Sequence, residues 1–375
     1  MLVIVVYPIG DWPGFHRRPT IEALARTLRG EGGAMLVVEP ARGFQELMKQ
    51  RRQQGRREML KSRLVKRDGN LWVLTPHQGD LASQTRQALG RIAGHKAEVV
   101  SWLFRPEQEE LIGVAGERVV VYDCYDEYTL SVDGNPLPHV AEQEKRLLEK
   151  CNLVFTSSLP LYERKVGLHA DVHYVPNGSD LASLGASRRD ANDLPDDLAG
   201  VPQPIIGCVG NIRASLDVRV LELIAARRPQ WSLAMIGAVS DEDAQAAVAH
   251  LHSYPNVQFT GHKPRRDLVS YFHALSVGIS PFPPTTYYHA ALPNRIMDYL
   301  TAGKPAVAYD VECLHELRDL VYLAKDREDF LRGIEKVIAT DSPEQQQIRR
   351  ERMRAYDLDV LAEKRLSLIK AALAA

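Results

Sequence analysis

Three acidic residues that follow an apolar run are the first side chains that could do chemistry. In the stretch VVVYDCYDEYTL, residues 119–130, Asp123, Asp126 and Glu127 come after three valines, and no Lys or Arg follows until Lys145. An acid at the end of a buried strand is costly unless a partner satisfies it or a function uses it. We therefore expect these acids either to stabilise a loop or to act on a ligand.

The loop after the first apolar run, residues 7–19, is a second candidate. It reads YPIGDWPGFHRRP, and its residues Gly10 and Gly14 let the backbone come close to a ligand. The helix predicted after the loop offers free N–H groups, and His16 and Arg17 add hydrogen-bond donors. A plain turn is the alternative interpretation.

Residues 292–305, LPNRIMDYLTAGKP, combine a helix start with charged side chains. Pro293 suits the first position of a helix, where free amides would suit a phosphate and Arg295 could add charge. Asp298 lies one turn further on, where a carboxylate could accept hydrogen bonds from ribose hydroxyls. Gly303 ends the predicted helix. The alternative is a surface helix with an ordinary Arg and Asp.

Short apolar runs alternate with helical patterns along most of the chain. This alternation predicts parallel sheets that are covered by helices on both faces. Doubly wound sheets bind ligands at the carboxyl ends of their strands, so the function is expected in the loops that follow the strands. The predicted strands are 2–7, 34–39, 71–76, 98–104, 119–123, 153–157, 172–176, 205–210, 232–237, 257–261, 277–282, 306–310 and 321–324.

A polar segment rich in Asp, Gly and Pro interrupts the alternation at residues 180–204, which predicts two doubly wound α/β domains in series. We predict a Rossmann-like N-terminal domain over 1–180 and a linker with the domain entry over 181–204. A second Rossmann-like domain is predicted over 205–345. Helices over 346–375 are predicted to cross back to the N-terminal domain.

The composition excludes several classes of protein. The chain has 375 residues and a net charge of −1, so the whole molecule is not a general binder of polyanions. Its four cysteines are far apart and form neither a disulfide framework nor a zinc site, which favours a reducing compartment. The N-terminal apolar run is too short for a signal peptide, and no run is long enough for a spanning helix. These patterns predict a cytoplasmic protein.

One basic segment stands out against this neutral average. Residues 49–67 carry nine Lys or Arg and one Glu, with apolar residues between them. Such a segment can lie on an anionic lipid surface or bind an anionic polymer. Nucleic acid is not favoured, because the segment has no aromatic residue for base stacking. A solvated helix and loop is the alternative.

Several of these stretches together resemble the GT-B glycosyltransferases, a mostly retaining group of bacterial enzymes that build cell-surface polysaccharides. Members often read N-P-x-K-x-x-E-Y-L-A-A-G-K-P-V-V at the nucleotide-sugar site. The stretches 155–180, 204–217 and 256–282 resemble the crossing between the domains, the opening of the donor domain and its central strands. The matching residues at the nucleotide-sugar site are Leu292, Pro293, Arg295, Asp298, Tyr299, Leu300, Ala302, Gly303, Lys304 and Pro305.

The resemblance implies two Rossmann-like domains that face each other across a cleft, with the donor in the C-terminal domain. Asp298 would hold the ribose, and the amides near Pro293, Asn294 and Arg295 would hold the diphosphate. The resemblance further implies that Gly261, His262 and Lys263 flank the base. The loop with Gly210, Asn211 and Arg213 would approach the phosphates or the sugar. The acceptor would bind the N-terminal domain through Gly10, Asp11, Trp12, Gly14, His16 and Arg17.

The sequence departs from the family at two places. The family's acidic pair is Glu-x(7)-Glu, whereas this chain has Ala290 and Asp298. The family often carries Arg and Lys after the glycine of the donor domain, where this chain has Asn211 and Leu216. We interpret both as features of a subgroup with a YDCxD loop; Arg213 and Arg295 are the candidates to replace the missing charges.

The implied reaction is transfer of a sugar from a nucleotide-diphosphate sugar to a saccharide or lipid-linked acceptor. Asp126 is the candidate base if the reaction inverts, and orients the acceptor or supports the sugar cation if it retains. Asp123 and His139 are the weaker catalytic candidates. GT-B enzymes generally neutralise the leaving diphosphate with amides and basic side chains, so neither metal nor cofactor is expected.

Two other functions are weighed against this one. The broken acidic pair motivates a non-catalytic protein of the same shape that binds a nucleotide or a partner. A dinucleotide-dependent dehydrogenase is disfavoured, because the loop at 7–19 lacks G-x-G-x-x-G and Glu39 is a weak match for the ribose acid. Because polysaccharide enzymes often use lipid-linked acceptors, the basic segment 49–67 is predicted to contact the inner face of a membrane.

Overall fold

The computed structural model describes residues 1–40, 62–77, 79–185 and 194–375. The chain divides into two compact units. The N-terminal unit comprises Met1–Thr129, Pro136–Pro176 and Leu358–Ala375, and the C-terminal unit comprises Leu130–Asn135 and Asn177–Asp357.

The N-terminal unit is built on a sheet of eight described strands. Their spatial order is β3-β4-β2-β1-β5-β6-β7-β8, and all neighbours are parallel except the β3–β4 pair, which is antiparallel. Central strands such as β1 and β2 are apolar and buried because helices cover both faces. The strands are β1 (Leu2–Val6), β2 (Ala34–Val38), β3 (Arg63–Asp68), β4 (Leu71–Thr75), β5 (Glu98–Leu103), β6 (Val119–Cys124), β7 (Leu153–Thr156) and β8 (Val172–Tyr174).

Amphipathic helices cover this sheet. In the first of them, Pro19 lies in the first turn, and Ile21, Leu24 and Leu28 recur at helical spacing on the buried face. The described helices before Pro176 are α1 (Arg18–Gly30), α2 (Leu81–Ala93), α3 (Pro138–Lys150) and α4 (Leu159–Lys165), with 3-10 turns at Gly94–Lys96 and Pro106–Leu111.

The C-terminal unit contains a parallel six-stranded sheet in the order β11-β10-β9-β12-β13-β14. The chain runs outward from β9 to β11 and then returns to the other side of β9 with β12. This reversal creates a crevice beyond the carboxyl ends of β9 and β12, where doubly wound sheets bind ligands. The strands are β9 (Ile205–Val209), β10 (Ser232–Ile236), β11 (Val257–Gly261), β12 (Val277–Ser280), β13 (Ala306–Tyr309) and β14 (Val321–Ala324).

Helices again follow these strands. They are α5 (Leu181–Leu184), α6 (Val218–Arg227), α7 (Glu242–Val248), α8 (Leu268–Ala274), α9 (Thr286–Ala290), α10 (Asn294–Thr301), α11 (Arg327–Thr340) and α12 (Pro343–Met353). The 3-10 turns are Asp196–Leu198, Ala249–Ser253, Arg265–Asp267, Glu312–Leu317 and Arg354–Tyr356.

The last helix, α13 (Leu358–Ala374), packs on the N-terminal unit. Its buried residues Leu361, Leu366 and Ile369 share one hydrophobic core with residues of α1 such as Leu24 and Leu28. The final helix of the chain therefore completes the core of the unit that contains the first residues.

The predicted α/β architecture of two doubly wound sheets is confirmed. Every predicted strand has a counterpart, but β3 was not predicted. Two boundaries also differ from the predicted ones: the N-terminal unit ends at Pro176 and resumes only at Leu358, and residues 130–135 belong to the C-terminal unit. Within the predicted linker, the structure places α5 and the turn Asp196–Leu198, whereas residues 186–193 lie outside the described residues.

Candidate functional site

The crevice of the C-terminal unit begins with two glycines. Gly210 follows β9 with φ of 110°, and Gly237 follows β10 with φ of 153°. A side-chain Cβ at Gly237 would lie 2.0 Å from the carbonyl oxygen of Gly210, so the two loops approach each other at backbone distance. Because glycine has no Cβ, the backbones of the two loops can come this close together at the end of β9.

Arg295 reaches the same place from helix α10. Its guanidinium lies 4.7 Å from the ring centre of Phe282, and its Nη1 donates to Sγ of Cys208 at 3.1 Å. A Cβ at Gly210 would lie 3.1 Å from its Nη2. The structure therefore brings together two residues that are far apart in the sequence, Gly210 and Arg295, and holds a cation beside an open loop backbone.

The start of helix α10 adds unpaired backbone donors. The helix begins at Asn294, and Pro293 is the cap rather than the first helical residue as predicted. The backbone N–H groups of Asn294 and Arg295 have no carbonyl one turn earlier, as at any helix start. Leu292, predicted to contact the donor, is buried, and its carbonyl accepts a hydrogen bond from Nδ2 of Asn177 at 3.1 Å. Leu292 thus anchors the helix start instead of facing a ligand.

Asp298 lies one turn into the same helix. Its Oδ1 accepts a hydrogen bond from Oγ of Ser179 at 2.6 Å. Burial raises the pKa of the Asp298 carboxyl, against the opposing effects of Arg265 and the Ser179 hydroxyl. Within the described parts of the chain, Oδ2 of Asp298 has no hydrogen-bond partner. That oxygen remains able to accept a hydrogen bond from a ligand hydroxyl.

The residues at the end of β11 differ in whether a ligand can bind them. Gly261 and His262 are exposed, as the predicted contact with a base would require. Lys263 instead pairs with Asp197, Nζ to Oδ2 at 2.6 Å, and Tyr271 donates to the same carboxylate at 2.7 Å. The hydrogen bond to Asp197 raises the pKa of Lys263. Lys263 therefore fastens the entry segment of the unit, and its charge is already neutralised.

Aromatic residues of the loop after β12 complete the crevice. The rings of Phe282 and Tyr288 stack at 4.7 Å between centres, and the hydroxyl of Tyr288 donates to Oγ of Ser215 at 2.7 Å. The Arg295 guanidinium lies over the Phe282 ring of this stacked pair. These residues were not predicted, although the aromatic and proline-rich loop PFPPTTYYH was a signal.

The remaining donor candidates lie on the loop after β9 and on helix α9. Asn211 and Arg213 are exposed, whereas Leu216 is buried in the core. Ala290, at the position of the family's first acid, is fully buried. A residue buried there has no access to a ligand.

Asp123, the first of the three acids, lies within β6 and has a partner in the N-terminal unit. Asp123 is fully buried and pairs with Arg17, Oδ2 to Nη2 at 2.9 Å. The Arg17 guanidinium also lies 4.9 Å from the ring centre of Tyr125. Arg365 of α13 is buried close by and donates to the carbonyl of Pro176 at 3.2 Å. Burial lowers the pKa of Arg365 to about 10, against the attraction of Asp123. Asp123 thus has a structural role, which was one of its two predicted alternatives, and Arg17, predicted to contact the acceptor, is engaged with it in the core.

The other acids have distinct environments. Glu127 is 2% exposed; its Oε2 accepts from Arg164 at 2.6 Å and its Oε1 from Thr129 at 2.5 Å. Burial opposes ionisation of Glu127, but Lys165, Thr129 and Arg164 together lower its pKa. Asp126 is half-buried on the loop, and its Oδ1 accepts from the backbone N–H of Glu127 at 3.1 Å. Of the three acids, Asp126 is therefore the one that solvent or a ligand can reach.

His139, the third catalytic candidate, is exposed in the first turn of α3. Helix α3 begins at Pro138, beyond the loop that carries Asp126. Its exposure leaves it available to a ligand.

The loop after β1 contains both exposed and buried residues. Gly10, Asp11, Gly14 and His16 are exposed, and Gly10 has φ of 85°. Trp12, by contrast, is 2% exposed. Its backbone N–H donates to Oε1 of Glu39 at 2.9 Å. The Trp12 ring therefore belongs to the core, whereas Gly10, Asp11, Gly14 and His16 remain accessible to an acceptor.

The described residues contain no group of three or more His, Cys, Asp or Glu side chains arranged to hold a metal ion. None of their helices has the length and apolarity that a membrane span requires. Of the basic segment 49–67, residues 49–61 lie outside the described residues, and residues 63–67 are in β3.

Known proteins resemble the chain in sequence and in fold. Residues 203–340 match the sequence model of the family described as glycosyl transferases group 1. TuaH of Bacillus subtilis (strain 168), whose name assigns it provisionally as a teichuronic acid biosynthesis glycosyltransferase, is 25% identical over 260 residues. That match covers 64% of this chain and 64% of the length of TuaH.

Solved structures extend the likeness to the whole chain. Sucrose-phosphate synthase (tll1590) from Thermosynechococcus elongatus superimposes with a TM-score of 0.74 at 15% identity and 100% coverage of both chains. Anabaena Alr3699/HepE, solved in complex with UDP and glucose, gives a TM-score of 0.69 at 16% identity, covering 99% of this chain and 100% of the other. The chain thus has the GT-B fold, and its residues 203–340 match the family described as glycosyl transferases group 1.

Proposed function

We propose that the protein is a glycosyltransferase that moves a sugar from a nucleotide-diphosphate sugar to a saccharide or lipid-linked acceptor. The observation that carries the proposal is the juxtaposition of Arg295 with the Gly210 loop at the carboxyl end of β9. A guanidinium beside open backbone suits a diphosphate, which it can bind in a bidentate manner. Asp298, one turn away, supplies a carboxylate for ribose hydroxyls.

The proposed chemistry depends on charge that develops in the transition state. The sugar becomes cationic as the bond to the donor phosphate breaks, and the leaving diphosphate takes up negative charge. Arg295 and the first amides of α10 are fixed before the reaction, so they stabilise that charge without reorganising. We propose on this basis a metal-independent hexosyl transfer without a cofactor. Resemblance to the mostly retaining group favours retention.

The relatives support the choice of substrates. HepE was solved with UDP and glucose, and the name of TuaH refers to teichuronic acid biosynthesis. We therefore propose a role in the synthesis of cell-surface polysaccharide or glycoconjugate. The protein would act in the cytoplasm, where the basic segment 49–67 would hold it at the inner face of the membrane.

The acceptor is proposed to bind the N-terminal unit. Asp126 is the accessible acid after β6, and Asp11 and His16 are exposed on the loop after β1. Both loops follow strands at the same edge of the sheet, because β1 and β6 both run parallel to β5, which lies between them. This edge therefore offers a carboxylate and an imidazole to sugar hydroxyls.

Calorimetry with UDP, GDP and NAD tests the proposal. We expect a nucleoside diphosphate to bind and NAD not to bind. Asp298→Ala should weaken that binding about tenfold or more, because a charge-assisted hydrogen bond is lost. Asp243→Ala, at an exposed acid of α7, is the control and should bind like the wild type. Binding of NAD but of neither diphosphate would refute the proposal.

A non-catalytic nucleotide-binding protein is the second candidate. Ala290 favours it, since no acid occupies the place from which the family contacts the transferred sugar. Hydrolysis or transfer from a panel of nucleotide sugars separates the two: turnover with any donor establishes the enzyme, whereas diphosphate binding without turnover of the whole panel favours the binding protein.

A further inference from the structure

We propose that a cavity beside helix α1 of the N-terminal unit binds a phosphoryl group. The cavity has a volume of about 460 Å³, which lies within the range of small-molecule sites. Helix α1, the loop after β1 and the β3–β4 turn line it. None of the residues assigned above to the donor contributes to it.

The cavity carries an excess of positive charge. Four arginines line it, Arg18, Arg26, Arg29 and Arg67, against the two acids Glu22 and Asp68. Like charges on a concave wall raise the local potential, and this favours an anion. With Asp359, which pairs with Arg26, the arginines exceed the acids around the cavity by one positive charge.

Two of the arginines are already neutralised. Arg18 pairs with Glu22, Nε to Oε1 at 2.6 Å, and Arg26 pairs with Asp359, Nη2 to Oδ1 at 2.6 Å. These two side chains are held by carboxylates. They therefore shape the wall more than they attract a ligand.

The other two arginines are not neutralised in this way. Among the described residues, the guanidinium groups of Arg29 and Arg67 have neither a carboxylate within ion-pair distance nor a hydrogen-bond partner. Arg29 extends from the last turn of α1 over the β3–β4 turn, where a Cβ at Gly69 would lie 2.8 Å from its Nη1. Arg67 is two residues before Gly69 on the same hairpin. The fold thus brings two guanidinium groups to one cavity, and neither forms an ion pair with a described carboxylate, although Asp68 also lines the cavity.

Arg29 and Arg67 lie away from the proposed acceptor residues, whereas the other end of the cavity reaches the loop after β1 through Trp12 and Pro13. Arg29 ends the helix that leads from the loop after β1 back to the start of β2. The β3–β4 turn leads into the first residue of β4, Leu71, which pairs with Met35 near the start of β2. Both arginines therefore lie at the amino ends of the parallel strands, opposite the edge that carries Asp126.

The chemistry of the guanidinium group favours a phosphoryl group among the anions that the cavity could bind. The planar fork of Arg matches the tetrahedral oxygens of phosphate through paired hydrogen bonds, and it stays charged at any physiological pH. A soluble phosphorylated compound and the headgroup of an anionic lipid offer the same chemistry.

Calorimetric titration of the full chain with inorganic phosphate tests the site. The double variant Arg29→Gln, Arg67→Gln should lose phosphate affinity by about tenfold or more. The control Arg91→Gln, Arg118→Gln removes two exposed arginines of the same unit outside the cavity and should bind like the wild type. Because Arg295 is intact in both variants, any binding at the proposed donor site cancels in the comparison.

Vesicles then distinguish the two sources of the ligand. Wild type, variant and control are sedimented with phosphatidylcholine vesicles that contain phosphatidic acid, and with phosphatidylcholine alone. Binding to the acidic vesicles that only the cavity variant loses assigns a lipid headgroup, whereas a phosphate effect without vesicle binding assigns a soluble ligand. Equal phosphate affinity in wild type and cavity variant, with circular dichroism showing both folded, overturns the proposal.

Discussion

The pair of Asp123 with Arg17 explains why an acid stands at the end of a buried strand. The two residues are 106 positions apart, so the sequence around β6 could not reveal the partner. An isolated buried charge would be far more costly than this pair, in which each ion neutralises the other. Asp123 is therefore held by the core, and the role of contacting a ligand passes to Asp126.

Asp126→Asn tests that assignment. We expect the variant to lose glycosyl transfer while nucleotide affinity stays close to that of the wild type, because Asp126 lies outside the C-terminal unit. Transfer assays with calorimetry on the same preparation measure both quantities. Glu163→Gln, at an exposed acid of α4, is the control and should transfer normally. Full transfer by Asp126→Asn would remove this residue from the mechanism.

The raised pKa of Asp298 predicts how nucleotide affinity varies with pH. The ionised carboxylate accepts hydrogen bonds, so affinity is complete above its pKa and falls as the pH drops through it. Because burial raises this pKa, the loss should begin above the range of an exposed Asp, for which the pKa is about 3.9. Calorimetry with UDP across this range measures the loss.

The isosteric variant is the control for this pH dependence. Asp298→Asn cannot titrate, so its affinity should be lower and lack the component that the wild type loses. An identical pH profile in wild type and variant would show that another group is responsible.

At the scale of elements, strand predictions succeeded where a strand is buried on both faces. Strands β1, β2 and β9 are continuous apolar runs, which a sequence displays directly. Strand β3 was missed because its sequence, RLVKRD, is mostly charged and its residues are partly or fully exposed. Among the described strands, β3 pairs only with β4 and lies at the edge of the sheet. An edge strand of this kind does not need an apolar face, so its sequence looks like that of a loop.

The close approach of Gly237 to Gly210 predicts a specific weakness in the C-terminal unit. Gly237→Ala would place a methyl group 2.0 Å from a carbonyl oxygen at a φ that favours glycine. Strain and overpacking should cost about 2–5 kcal/mol of the free energy of unfolding. Hydrogen exchange of the β9 and β10 amides measures this loss.

Gly90→Ala is the contrasting substitution. Gly90 lies inside helix α2 with open space around its Cα, so alanine should stabilise the helix by about 0.5–1 kcal/mol. Unchanged exchange in β9 and β10 of the Gly237→Ala variant would mean that the two loops can separate at little cost.

At the scale of the whole molecule, the sequence indicated two units but not their boundaries. A composition shift marked the polar segment near residue 180. Membership of residues 130–135 in the C-terminal unit depends on tertiary contacts, such as the hydrogen bond from Oγ1 of Thr285 to the carbonyl of Val132 at 2.8 Å. Contacts of this kind leave no pattern in the local sequence.

Helix α13 should determine the stability of the N-terminal unit. Leu366→Ala removes a buried side chain from the core shared with α1 and should cost about 2–5 kcal/mol. Urea unfolding followed by tryptophan fluorescence measures it, since Trp12, Trp72 and Trp102 all belong to this unit.

Val360→Ala on the same helix is the control. Val360 is 50% exposed, so the substitution should change the free energy of unfolding by less than about 0.5 kcal/mol. An equal effect of both substitutions would contradict the role of the shared core.

The return of the last helix to the first unit also constrains the order of events during synthesis. Translation delivers the N-terminal unit first, but Leu361, Leu366 and Ile369 reach its core only after residues 177–357 have been made. Domains usually fold in the order of their synthesis. In this protein the N-terminal unit is synthesised first but completed last. The face of α1 that later packs against α13 is therefore exposed while the chain is still on the ribosome. Chaperones that bind apolar surface could bind this face.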